Sequence, residues 1–116
     1  MADLFADRLA AVRQRFVAKL GARLDEIEAT VPQLSAAGSA DALAHAHRRA
    51  HDLCGVSPTM GFIATGKAAR TVEKLLLAPL KADRALTEDE VIQLCQDLAE
   101  LRSVATAETR PAEPEQ

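Results

Sequence analysis

Apolar residues recur at every third or fourth position through most of this chain, and nowhere do they alternate over the length of a strand. That pattern is the periodicity of one helix face, and its repetition restricts the fold to packed amphipathic helices. A sheet has no support, because the β-branched residues are scattered singly. With 116 residues, 48% of them apolar, the chain can build one hydrophobic core. It has no Trp or Tyr and only three Phe, so that core must be made of Leu, Val, Ile, Ala and Phe.

Four helices follow from the spacing. The first is expected from about Asp3 to Val31, with Phe5, Leu9, Val12, Phe16, Leu20, Leu24, Ile27 and Val31 on its apolar face and Gly21 as its one weak point. Pro32 is expected to end it or deflect its last turn. After a small, polar loop at Ser35 to Ser39, the second helix starts near Ser39 or Asp41, either of which could cap it. It carries Leu43, Ala46, Ala50 and Leu53 inward and should close between Ser57 and Gly61. The third spans about Ile63 to Ala78, with Ala68, Ala69, Val72, Leu75 and Leu76 as its stripe, and Pro79 is expected to stop it. The fourth begins at a capping box, Thr87 with Glu90, and repeats Val91, Leu94, Cys95, Leu98, Leu101 and Ala105. The expected fold is all-α, an antiparallel four-helix bundle over residues 1–106, with 107–116 as a disordered tail.

Composition removes several classes of function. A net charge of −3 gives no basic field for nucleic acid. The longest apolar stretch, Leu75 to Leu80, is far short of the ~20 residues a bilayer span needs. Asp3, Asp7 and Arg8 stand where a signal peptide would need an apolar core. The expected compartment is therefore the cytoplasm, with Cys54 and Cys95 reduced. Met1 and the short tail favour a free-standing protein over a piece of a larger one.

One histidine stands off the core. Projected at about 100° per residue, His51 lies roughly 130° from the centre of the face formed by Leu43, Ala46, Ala50, Leu53, Ser57 and Met60. Its face-mates are Ala44, His47, Arg48, Gly55 and Pro58. Gly55, one turn on, costs a helix ~1 kcal/mol relative to alanine. Two readings serve it equally from spacing alone. It leaves bare backbone beside the imidazole for a bulky partner, or it begins helix termination together with Pro58 and Gly61.

The run from His51 through Asp52, Leu53, Cys54, Gly55, Val56, Ser57, Pro58, Thr59, Met60 and Gly61 to Phe62 resembles the signature of the histidine-containing phosphotransfer (HPt) domain. In that signature a His is followed by an aliphatic residue two on, a Gly four on, small residues, and a second Gly ten on. The Ala-His-Arg-Arg-Ala run before it and the long upstream helix are also similar, so the likeness covers about residues 5 to 105. It implies a phosphoryl carrier without autonomous catalysis. His51 would take the group, and receiver domains of response regulators or hybrid histidine kinases would be the partners. No cofactor is expected on this chain, since Mg²⁺ belongs to the receiver, and a monomer is implied.

The resemblance assigns further roles. Glu73 occupies the position, 22 residues after the His, where the family places a Gln or Glu against the imidazole. Taken alone, Glu73 reads as an exposed helix charge beside Lys74 and Arg70. In the family's role it accepts from Nδ1–H and leaves Nε2 as nucleophile. Two departures stand out. Cys54 replaces a lysine that many members carry, which leaves Lys67, Arg70 or Arg48 to balance phosphoryl charge. Pro58 is unusual within the helix and suggests an early end or a kink.

Three other functions compete for the same residues. His47, His51 and Cys54 share a helix face, and imidazole with thiolate suits zinc. They do not converge easily from one helix, no fourth ligand is evident, and no metal is expected. His45, on another side, reads as solvated. A non-phosphorylated adaptor that binds a kinase or receiver is favoured by Cys54 and opposed by His51, Gly55 and Glu73 together. An independent hydrolase or transferase has no support, because no second catalytic group accompanies His51.

Overall fold

The computed structural model describes residues 3–110. It contains α1 (Leu4–Leu34), α2 (Ala40–Thr59), α3 (Ile63–Lys81) and α4 (Glu88–Thr109), and no strand among the described residues. Short connections make each helix run against the next. Leu86 N–H donates to Leu34 O at 2.9 Å and joins the start of α4 to the end of α1. At the opposite end Glu108 accepts from the N–H groups of Ala64 and Thr65 at 3.0 and 2.8 Å. It thereby caps α3, whose own N-cap residue, Phe62, has no side-chain donor or acceptor. Burial pushes the Glu108 carboxyl upward, but the hydrogen bonds from Thr65 and Ala64 outweigh it and hold it below its ordinary value.

The core is aliphatic. Ile27, Leu34, Leu43, Leu53, Val72, Leu76, Leu94 and Leu101 are fully buried, each worth about 1.5–3 kcal/mol of transfer from water. On α2 the inward positions Ala46 and Ala50 are fully buried and small, so this helix sits close against its neighbours. Its outward face, with His51, is left uncovered.

The helix ends differ from the sequence reading in instructive ways. Pro32 does not end α1, which runs on to Leu34, and Pro79 does not stop α3, which continues to Lys81. Each proline sits in a last turn, where the lost N–H removes one bond only. Pro79 is also fully buried, so its ring adds to the core. Ser39 is the N-cap of α2 but caps nothing with its side chain: its hydroxyl donates to Leu34 O at 3.5 Å. Residues 107–109, read as tail, continue α4, and the remainder of that tail from 111 lies outside the described residues. The capping box at Thr87 and Glu90 is present on both sides.

Another correction concerns α1. Its apolar stripe is unbroken in sequence, yet Leu4, Phe5, Leu9 and Val12 are exposed. At 1.5 Å per residue α1 is about 46 Å long and the other helices about 30 Å, so its first turns have no helix beside them. Burial begins where Arg13 Nε donates to Met60 O at 2.9 Å and Phe16 stacks on Phe62 with centroids 5.9 Å apart.

The turn from α2 to α3 sets the end of the site helix. Phe62 N–H donates to Ser57 O at 2.8 Å and Gly61 N–H to Pro58 O at 3.0 Å, the paired bonds of a Schellman motif. Gly61, with φ of 93°, supplies the left-handed residue this motif requires. The helix therefore passes through Pro58 and is closed by Gly61. Just across the turn, Gly66 is buried against Pro58: a Cβ there would lie 2.6 Å from the proline Cγ.

Candidate functional site

His51 projects from the middle of α2, on the side away from Ala50 and Leu53, and its side chain is 68% exposed. Glu73, on the adjacent stretch of α3, is only 17% exposed, and its Oε2 is hydrogen-bonded to His51 Nδ1. An ionised carboxylate only accepts, so the proton of this bond sits on Nδ1. In the neutral ring that leaves the lone pair on Nε2, on the solvent side of the imidazole. A half-buried acid thus orients an exposed base.

The space around Nε2 is open. Gly55, one turn beyond His51, is helical and exposed, and a Cβ placed on it would meet nothing within 4 Å. Since Gly61 terminates α2, the glycine at 55 is not needed for termination. Well-formed concavities among the described residues lie elsewhere, for instance at the Ala36–Ala40 loop or along Glu28 and Arg102. An exposed imidazole that lines none of these concavities suits reaction inside another macromolecule's site.

The remaining residues singled out in the sequence are placed less closely. Arg48 on α2 and Lys67 and Arg70 on α3 are exposed, and among the described residues none of them has an ion-pair partner. The structure joins His51 to Glu73 but ties no cation to the pair. Cys54 is half-buried and, like Cys95, a free thiol. His45 faces Glu26 on α1, with Nε2 3.8 Å from Oε2, and Arg49 pairs with the same carboxylate at 2.8 Å. Among the described residues, no group of three or more His, Cys, Asp or Glu is arranged to hold a metal ion.

Two features escaped the sequence reading. His47 lies one turn before His51 with its ring stacked on it, centroids 6.3 Å apart and planes 12° apart. Its Nε2 is 3.9 Å from the same Glu73 oxygen. The i,i+4 spacing of the two histidines was visible, but the carboxylate they share is on another helix. The contact of Pro58 with Gly66 also had no local signal, since the two belong to different helices.

An exposed imidazole oriented by a carboxylate thus stands on one helix of a four-helix bundle. The family model of the Hpt domain matches residues 11–104, and the chain belongs to that family. Searches of curated proteins and of solved structures return no match. Membership assigns the chain a general role in histidine phosphotransfer within phosphorelays, the role of a phosphocarrier module. No helix among the described residues is long and apolar enough to cross a membrane.

Proposed function

We propose that this chain accepts a phosphoryl group on Nε2 of His51 from an aspartyl phosphate of a receiver domain and passes it to a second such aspartate. The observation that carries the reading is the bond between His51 Nδ1 and Glu73, which leaves Nε2 as the free nucleophile on an exposed, open face. In the forward step Nε2 attacks phosphorus in line, the acyl P–O bond breaks, and the partner's aspartate leaves as a carboxylate. Such a transition state asks for positioning and charge neutralisation more than covalent help. The ring keeps its Nδ1 proton and becomes cationic as the N–P bond forms, and the Glu73 carboxylate offsets that charge.

The phosphoryl group itself also needs balancing charge. The thiol of Cys54 cannot supply it. The exposed Arg48, Lys67 and Arg70 are the cations available, with Lys67 favoured for its flexible stem. The partner's Mg²⁺ and lysine complete the site, which fits a chain with no phosphate-cradling loop of its own.

Incubation with phosphorylated receiver domains tests the proposal. Label should pass to this chain as acid-labile, base-stable phosphate, and His51→Gln should abolish it while leaving helicity and Tm nearly unchanged. An unlabelled wild-type chain that still binds the receiver would instead make it an adaptor.

A further inference from the structure

We propose that His47 is a positioning residue that keeps the Glu73 carboxylate turned toward His51. The proposal rests on the reading of His51 as acceptor. Glu73 is an acid with 17% of its side chain exposed, and a carboxylate removed from water to that degree needs donors or positive charge. Among the described residues no lysine or arginine lies within ion-pair distance of it. The basic groups it meets are two imidazoles, and both address the single atom Oε2.

The two rings do different things at that oxygen. His51 forms the hydrogen bond. His47 stands 3.9 Å away, beyond hydrogen-bonding distance, so its effect is the pull of an N–H dipole, or of an imidazolium when protonated, on the same oxygen. This requires the tautomer or charge state of His47 that carries hydrogen on Nε2. Its side chain is 21% exposed against 68% for His51, and the parallel stacking one helical turn away holds the ring in place. A packed donor on the α2 side therefore draws the carboxylate toward α2.

The consequence falls on the nucleophile. An imidazole without a fixed acceptor at Nδ1 populates both tautomers, and the form with hydrogen on Nε2 has no lone pair there. If Glu73 swings toward solvent, part of the His51 population is lost to that form. The helix, the core and the exposed face stay the same.

Two variants separate donor from packing. His47→Phe keeps a stacked ring but removes the N–H, and His47→Gln keeps a donor that reaches toward Glu73. Imidazole ¹⁵N NMR reads the His51 tautomer directly. Phosphoramidate, whose P–N bond breaks as the Nε2–P bond forms and ammonia leaves, reads reactivity without any receiver. In the wild type and His47→Gln, His51 should carry hydrogen on Nδ1. In His47→Phe the tautomers should mix, and labelling by phosphoramidate should slow by about threefold to tenfold, within the lower part of the range of coupling between contacting residues. An unchanged His51 tautomer and rate in His47→Phe would overturn the proposal, as would equal losses in the Phe and Gln variants. A tautomer shift in a chain that phosphoramidate does not label at His51 would keep the positioning role and remove the phosphoacceptor reading instead.

Discussion

Gly55 gives the sharpest separation of stability from function in this bundle. It lies inside α2, four residues before the helix ends, and a Cβ there meets no atom within 4 Å. Alanine should therefore gain the full difference in helix propensity, about 0.8–1 kcal/mol, with no steric charge against it. For a domain of this size that gain raises Tm by about 3–8 °C. Gln at the same position is also a better helix former than glycine, so the Gln variant should melt no lower than wild type. Its side chain, however, would stand one turn from His51, where an incoming receiver must bring its aspartyl phosphate in line with Nε2. Displacement of that approach by about 1 Å costs on the order of 100-fold in rate. The assay is transfer from a phosphorylated receiver, run beside thermal melts. Gly55→Ala should gain stability with transfer close to wild type, whereas Gly55→Gln should keep its stability and lose transfer about 10–100-fold. Wild-type transfer by Gly55→Gln would refute the access argument, and a fall in Tm for Gly55→Ala would show that the open space is filled.

Gly66→Ala should behave oppositely, because its Cβ would lie 2.6 and 2.8 Å from two atoms of the Pro58 ring, which cannot swing aside. Overpacking of this kind costs about 1–3 kcal/mol, read as a lower urea midpoint. Glu90 is held down to about 2, first by the Arg84 guanidinium and then by the Thr87 N–H. A carboxyl lowered in the fold stabilises above its ordinary value of 4.5, and that contribution is lost as pH falls toward 2. The stability gap between wild type and Glu90→Gln should accordingly close over that window, and a gap independent of pH would deny the role of ionisation. Of Arg48→Ala, Lys67→Ala and Arg70→Ala, one or two, Lys67 foremost, should shorten the phosphohistidine lifetime without loss of fold. If all three are silent the partner's cations suffice, and Cys54→Lys should change little.

The fold was legible because nearly every helix carries an uninterrupted apolar stripe, and because Thr87 with Glu90 and Gly61 mark ends by local chemistry. Where the reading went astray, the deciding fact was not local. Pro79 reads locally as a stop and Pro32 as a stop or a deflection, yet a proline in a last turn forfeits one bond and, when buried like Pro79, adds to the core. Leu9 and Val12 read as core positions because a stripe does not tell how far the neighbouring helices extend. Within the site, the pairing of His51 with Glu73 came from resemblance, since an exposed helix charge was the plainer reading of Glu73 alone. The link from His47 to that carboxylate had no sequence signal at all, being a contact between helices.

The central claim is that Nδ1 of His51 is committed to Glu73 and Nε2 carries the phosphoryl group. The most direct test is ³¹P and ¹⁵N NMR of the chain after transfer from a phosphorylated receiver. A single phosphorus signal coupled to Nε2 of His51 is expected, with the proton retained on Nδ1. Phosphorus on Nδ1 of His51, or on His47, would contradict it.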